Sequence, residues 1–247
     1  MADEEPWFVA AFGGRYPDVY PHRDLESARR EAVWLVDHGV SGRILDLCCG
    51  FGRHTLALCE RDLDVIGADL SAELLYRAKA LPGGRRLASR LLRADARALP
   101  VREACLDSVV VLFSSFGYFG EPGDRAMLRE IARVLRPSGL LVLDLMNPAR
   151  VRAELVPESS ATRADLEVHE HRALEDEGRR VVKSVVLRAE DRIVGRWREA
   201  VRLYEPDEIQ ALLRSTGFGA PAFHGGFDDS PFGPGSPRQI VLSRRGV

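Results

Sequence analysis

The stretch ILDLCCGFGRH at 44–54 brings two adjacent cysteines, two glycines and a histidine into one turn. Cysteine and histidine are metal ligands, whereas a hydrophobic run that breaks into glycines is typical of a loop whose backbone approaches a ligand closely. Consecutive side chains of an extended segment point to opposite sides, so Cys48 and Cys49 are poorly placed to hold one ion together. We therefore expect no metal site and interpret both cysteines as small packing residues.

A carboxylate follows the next apolar run, because DLDVIGADL is typical of a strand that ends near Asp69. A carboxylate at that place can accept both hydroxyls of a ribose. The dinucleotide fingerprint G-x-G-x-x-G requires a third glycine, and this chain has Thr55 at that position. The pattern favours a nucleoside ligand without a pyrophosphate.

These residues need a sheet to position them. Short apolar runs alternate with helical patterns from RILDL to LLVLDLMN, and a helix opened by Asp24 precedes them over 24–38. This alternation predicts an α/β fold with a doubly wound, mostly parallel seven-stranded sheet. Polar and apolar residues alternate over 165–204, which predicts a small antiparallel β insertion after the fifth strand.

The same patterns suggest a division of the chain. Residues 1–40 form an N-terminal helical cover, 41–148 and 205–247 form the sheet core, and 149–204 form an antiparallel β lid. Two closing strands in the tail flank GGFDDSPFGPGSP, whose glycines and prolines indicate a loop.

Composition limits the function. The chain has 247 residues, a formal net charge of −2 and a pI of about 6.3, which argues against a nucleic-acid partner. The acidic start MADEEPWF lacks the apolar region of a signal peptide, and no run has the length of a membrane span. The four cysteines fit neither a disulfide framework nor a zinc motif. We expect a cytoplasmic protein without a membrane partner.

Five segments together resemble a class I S-adenosylmethionine-dependent methyltransferase over about residues 40–148: LDLCCGFGRH, VIGADLS, RADA, LDSVVVLFSSFGYF and VLRPSGLLVLDLMN. HRDLESARREA, SSFGYF and GGFDDSPFGPGSPR further resemble a bacterial subgroup that acts on small molecules. The resemblance implies in-line transfer of a methyl group from S-adenosyl-L-methionine to an N, O or C nucleophile, with S-adenosyl-L-homocysteine as product.

The resemblance also implies a set of cofactor residues. The glycine turn would contact the methionine part, the acid after the second strand would hold the ribose, and the acid after the third would accept the adenine amino group. A side chain from the fourth strand would close the site. The set is Asp46, Cys48, Cys49, Gly50, Gly52, Asp69, Leu70, Asp95, Ala96 and Phe113.

Tyr118 and His22 are the candidate catalytic residues, although Tyr118 reads equally well as an aromatic that packs a loop and His22 as a surface residue. Arg238 either holds a substrate carboxylate or pairs with Asp228 or Asp229. The implied substrate-binding set is Tyr20, Arg23, Ser115, Tyr118, Asn147, Phe227 and Arg238.

Two other functions stay open. A non-catalytic S-adenosylmethionine-binding protein would keep the cofactor residues, and a nicotinamide-dependent oxidoreductase would need the glycine that Thr55 replaces. FSSFGYF lacks the acid or amide followed by prolines that nucleic-acid amino methyltransferases carry at the end of the fourth strand. The expected partner is a small-molecule substrate, and a homodimer through the β insertion is compatible with the sequence.

Overall fold

The computed structural model describes residues 6–13, 19–20, 24–163, 166–190 and 192–247. Its larger sheet has seven strands in the order β10-β11-β5-β4-β1-β2-β3. Strand β11 pairs antiparallel with both β5 and β10, and the other neighbours pair in parallel. The strands are β1 Arg43–Leu47, β2 Asp64–Asp69, β3 Leu91–Arg93, β4 Leu106–Val111, β5 Leu135–Leu145, β10 Ala222–His224 and β11 Gln239–Arg244. The predicted fold class is confirmed.

The α-helices of the described residues are α1 Trp7–Ala11, α2 Leu25–Asp37, α3 Arg53–Cys59, α4 Ala72–Ala78, α5 Gly120–Val134, α6 Pro148–Glu154 and α7 Pro206–Ser215. The predicted helix over 24–38 is α2, because the Asp24 side chain accepts a hydrogen bond from Ser27 N at 2.7 Å and opens it. None of these helices has both the length and the apolar character that crossing a membrane requires.

A separate antiparallel sheet follows β5. It consists of β6 Glu158–Arg163, β7 Leu166–Glu175, β8 Arg180–Ala189 and β9 Arg192–Arg202, paired in that order. The last three strands are the predicted meander. Helix α6 and strand β6 lie outside it, and β6 escapes the pattern because ESSATR is polar and solvent-facing along nearly its whole length.

Three apolar clusters hold these layers together. One face of the large sheet packs on α5 and α7, and the other packs on α2 and α3. A smaller cluster joins Tyr20 and Leu74 to the antiparallel sheet through Val168 and Leu187. This cluster fixes the antiparallel sheet against α4, the helix that contains Leu74.

Candidate functional site

A cavity of about 420 Å³ opens at the carboxyl ends of β1, β2 and β4, and it is called the first cavity below. In open α/β sheets this edge is where ligands bind. Every residue of the predicted cofactor set except Gly52 lines it, namely Asp46, Cys48, Cys49, Gly50, Asp69, Leu70, Asp95, Ala96 and Phe113.

The turn after β1 is left-handed at Cys48, Gly50 and Gly52, with φ of 61°, 57° and 74°. The segment is therefore not extended at Cys48, and the expectation of alternating side chains does not apply there. Burial raises the pKa of both the Cys48 and the Cys49 thiol well above the ordinary value. Both thiols are protonated at neutral pH, which suits packing.

Thr55, which stands where a dinucleotide site has its third glycine, is fully buried. Its Oγ1 donates to Asp46 Oδ2 at 2.6 Å, so the threonine supports a carboxylate whose pKa burial raises. If residue 67 carried a side chain, its Cβ would lie 2.6 Å from Thr55 Oγ1, so only a glycine fits beside this hydroxyl. The hydroxyl thus occupies the space between α3 and β2 that a glycine would leave to backbone packing.

Asp69 faces the first cavity with both oxygens fixed by the backbone. Oδ2 accepts from Gly50 N and Oδ1 from Ser71 N, each at 2.8 Å. Burial raises the pKa of this carboxyl, while the two backbone bonds act in the opposite direction. A carboxylate oxygen has two lone pairs, so each oxygen keeps one for a hydroxyl group in the cavity.

Asp95 is clamped by Arg97, a residue that the sequence did not single out. Arg97 donates from its backbone N, Nε and Nη2 at 2.8, 3.0 and 2.7 Å, and the side-chain hydrogen bonds lower the pKa of Asp95. The Arg97 guanidinium lies 4.6 Å from the centre of the Phe119 ring, in a cation–π contact. The Asp95 carboxylate is therefore ionised and held in one orientation.

Arg53 also lines the first cavity and was missed, although it belongs to the motif at 44–54. It is buried, and its Nη1 lies 3.2 Å from Ser27 Oγ and 3.5 Å from Glu31 Oε2. Its Nη2 is buried without a hydrogen-bond partner among the described residues. A buried guanidinium nitrogen without a partner can donate hydrogen bonds to an anionic group of a ligand.

Aromatic residues cover the cavity from the side of α1. The Tyr118 ring stacks on Phe12 at 5.7 Å and meets Trp7 edge-on at 4.9 Å. Tyr118 thus packs against α1 and its following residues and also lines the cavity. Ser115 lines the cavity as well. The other candidate catalytic residue, His22, and the substrate candidate Arg23 lie outside the described residues.

Tyr20 lies away from the first cavity, in contact with the antiparallel sheet. Its hydroxyl donates to Glu199 Oε1 at 2.9 Å and accepts from Lys183 Nζ at 2.5 Å. Burial, reinforced by the Glu199 charge, raises the pKa of Tyr20 far above its ordinary value. The phenol is neutral, and its two hydrogen bonds connect Tyr20, which precedes α2, to β8 and β9.

A second cavity, of about 380 Å³, lies between α6, the antiparallel sheet and the start of β11. Asn147 and Arg238 line it, together with Lys183 and Glu199. Arg238 Nε donates to Asp144 Oδ1 at 2.6 Å and Nη2 to Ser114 Oγ at 2.7 Å, so its ionic partner is neither Asp228 nor Asp229. It joins the ends of β4 and β5.

The other two substrate candidates differ in position. Asn147 Nδ2 lies 2.8–3.1 Å from the carbonyl oxygens of Gly233, Pro234 and Ser236, which fastens the tail loop to the start of α6. Phe227 packs edge-on against Trp34 at 5.2 Å and lines neither cavity. The described members of the substrate set therefore lie at four locations, namely the first cavity, the second cavity, the contact of Tyr20 with the antiparallel sheet and the contact of Phe227 with Trp34.

Residues 44–139 match the methyltransferase domain family. The matched segment is thus of the methyltransferase-domain type. This domain is 38% identical over 117 residues to the demethylmenaquinone methyltransferase of Thermus thermophilus, a match that covers 47% of this chain and 52% of that protein. The chain spans about half the length of the curated relatives that it matches.

Solved structures show that the methyltransferase fold extends over nearly the whole chain. The CcbJ methyltransferase from Streptomyces caelestis superposes with a TM-score of 0.81 at 18% identity, over 97% of this chain and 99% of that one. CalS10 from Micromonospora echinaspora, an amino pentose methyltransferase, gives 0.66 at 20% identity, over 93% and 96%. The antiparallel sheet is thus included in the matched length.

Proposed function

We propose that this protein transfers a methyl group from S-adenosyl-L-methionine to a small-molecule acceptor. The observation that carries the proposal is the Asp69 carboxylate, which the backbone of Gly50 and Ser71 fixes at the edge of the first cavity. Its two free lone pairs match the two hydroxyls of a ribose.

The rest of the cavity fits the remaining parts of the cofactor. Arg53 Nη2 would take the carboxylate of the methionine part, since it is buried and has no other partner among the described residues. Asp95 and the backbone of Ala96 would hold the adenine at the far end. The bound sulfonium would supply an activated methyl group and leave as a neutral thioether.

The residues of the chain then have to position an acceptor and exclude water. The ring of Tyr118 packs on Phe12 and Trp7 and lines the cavity, where it would help to exclude water. Alignment of a nucleophile at contact distance supplies much of the rate of such a displacement, so a dedicated base is not required. His22 stays a proposed base, and Tyr118 a proposed substrate contact.

The acceptor side is proposed to include the antiparallel sheet, which would act as the lid. The second cavity, with Lys183, Glu199 and Arg238, offers charged groups that recognise a polar molecule. Similar proteins are named for demethylmenaquinone and for an amino pentose, which supports a small molecule as acceptor. A cytoplasmic location and a homodimer belong to the same proposal.

Calorimetric titration of the whole chain with S-adenosylmethionine, S-adenosylhomocysteine and NAD tests the cofactor. We expect binding of the first two and none of NAD, because Thr55 fills the place of the third glycine. Binding of NAD alone would contradict the proposal.

Transfer of a labelled methyl group into a metabolite extract separates an enzyme from a binding protein. We expect label in one or a few small molecules and formation of S-adenosylhomocysteine. Tight cofactor binding without any transfer would favour the non-catalytic alternative.

A further inference from the structure

Three side chains of metal-binding type meet on the face of the large sheet that packs on α2. They are His38 at the end of α2, His224 on β10 and Asp229 in the loop that follows, each with a ligand atom within 4.8 Å of the others. None of the three lines the first or the second cavity. The cluster is therefore separate from the proposed methyl-transfer site.

The hydrogen bonds of His38 leave one ring nitrogen directed at Asp229. Nδ1 lies 2.8 Å from the carbonyl oxygen of Trp34, and a carbonyl only accepts, so Nδ1 carries the proton. Nε2 lies 2.9 Å from Asp229 Oδ1. With Nδ1 protonated, Nε2 and the carboxylate oxygen face each other at hydrogen-bond distance, and either a second ring proton or a metal ion can lie between them.

The surroundings fix these groups in place. The Trp34 ring stacks on His38 at 3.7 Å, and Trp34 Nε1 donates to Asp229 Oδ1 at 2.7 Å. A ring N–H bonded to a backbone carbonyl and a hydrogen-bonded carboxylate are the supporting contacts that metal ligands commonly have. The His224 ring meets both Trp34 and His38 edge-on, at 5.2 and 5.1 Å.

The loop after β10 is folded so that Asp229 returns beside His224. His224 forms a bridge with Pro231, Gly225 N donates to Ser230 O at 2.8 Å, and Asp229 has a left-handed φ of 62°. The Asp229 side chain is 69% exposed, which leaves room for a water molecule as a further ligand.

We infer that His38, His224 and Asp229 bind a divalent transition-metal ion of the zinc class. Two imidazoles and one carboxylate form a donor set that zinc prefers, with water at the fourth position. Ligand atoms about 2 Å from a tetrahedral ion lie about 3.3 Å apart. His38 Nε2 and Asp229 Oδ1, now 2.9 Å apart, would separate slightly, and the pairs that involve His224 would approach by about 1.5 Å at most.

The ion would fasten the tail loop to α2. In the same loop, the carbonyl oxygens of Gly233, Pro234 and Ser236 accept hydrogen bonds from Asn147 Nδ2. The loop ends just before Arg238. A metal at this place therefore stabilises the segment that joins β10 to the second cavity. The competing arrangement is a plain ion pair between a doubly protonated His38 and Asp229.

Zinc titration of the chelator-treated full chain tests the inference, with D229N as the decisive variant and D228N as its matched control. Asp228 is the neighbouring exposed acid and bonds only to Ser230 in the described structure. We expect equimolar zinc binding by the unchanged protein and by D228N, and at least about tenfold weaker binding by D229N. Equal affinity in all three proteins would overturn the inference and leave the ion pair.

Cobalt(II) provides a second measurement, and its spectrum in the unchanged protein reports the ligand set without any variant. The unchanged protein should give the visible absorption of a tetrahedral site without sulfur-to-metal charge transfer. Absorption from cysteine ligands would contradict the assignment. His224→Ala should abolish the signal, whereas His171→Ala, which removes an exposed imidazole on β7, should keep it.

Zinc should also raise the melting temperature of the unchanged protein and of D228N but not that of D229N, because an ion that binds only the folded state stabilises it. An equal shift in all three would show that zinc binds elsewhere.

Discussion

The two cavities differ in how the chain builds them. Apart from contacts with α1 and the loop after it, the first is lined by residues between 46 and 119, and its main polar group is fixed by backbone N–H donors. The second is assembled from α6, three strands of the antiparallel sheet and the start of β11, and side chains hold it together. Backbone geometry tolerates changes of side chain, so the first cavity can keep its form while the second varies.

The largest expected effect is on the first cavity. Asp69→Ala removes the group that would accept two ribose hydroxyls, and we expect S-adenosylhomocysteine affinity to fall more than about 100-fold, since hydrogen bonds to a charged group are worth about 1.5–3 kcal/mol each. Calorimetry measures it. The control is Asp64→Ala at the opposite end of β2, where the carboxylate pairs with Arg43. Unchanged affinity in the Asp69 variant would place the ribose elsewhere.

Arg53 offers a sharper test of the same cavity. Arg53→Met should weaken S-adenosylhomocysteine binding by about 30-fold, the loss of one charged hydrogen bond, and leave the binding of 5′-methylthioadenosine, which lacks the carboxylate, nearly unchanged. The matched control is Arg29→Met, which removes an exposed partner of Glu60. Equal losses for both ligands would mean that Arg53 only supports the fold.

The second cavity should respond in stability first. Arg238→Met leaves the buried Asp144 carboxylate with the Phe113 N–H but without its cation. We expect the free energy of unfolding to fall by about 1.5 kcal/mol, discounted because Arg238 is partly exposed. Denaturant titration measures it against Arg244→Met, an exposed arginine at the other end of β11. Equal stability of the two variants would contradict the role given to the pair.

The smallest effect concerns the support behind the first cavity. Burial alone would raise the pKa of Glu31, but the hydrogen bond from His54 and the charges of His54 and Arg53 outweigh it and lower that pKa. A lowered carboxyl pKa stabilises the folded state above the unfolded pKa of about 4.3, and this contribution disappears as the pH falls through the folded value.

We therefore expect Glu31→Gln to cost about 1 kcal/mol at neutral pH and progressively less as the pH falls below about 4. Melting curves as a function of pH measure the difference, with Glu26→Gln as control because that exposed acid pairs only with Arg30 among the described residues. A cost that does not depend on pH would show that the loss is one of packing.

Most of the first cavity could be predicted from the sequence because the patterns that form it are local. A capped helix, strands that end in acids and a glycine turn all lie within short stretches, and the fold class follows from their alternation. Arg53 escaped notice because nothing in the motif shows that its Nη2 is buried without a partner.

The second cavity and the residues around it were harder to predict from the sequence because their contacts join residues far apart in the chain. Tyr20 meets Lys183 and Glu199 across 163 and 179 positions of chain, a pairing that no local pattern contains. The sequence predicts that Arg238 either holds a substrate carboxylate or pairs with Asp228 or Asp229. It pairs with Asp144 instead, which lies close in space because β11 runs antiparallel beside β5. Strand β6 was missed for the opposite reason, since its polar side chains carry no alternation.

One property of the two sheets bears on how such chains diversify. Among the described residues, the ladder pairings of the seven-stranded sheet use none from 158 to 202, whereas β6 to β9 pair only with one another. A recombination event that exchanged this whole segment would keep every rung of the larger sheet. The antiparallel sheet could thus be replaced in evolution without loss of the strand pairing that shapes the first cavity.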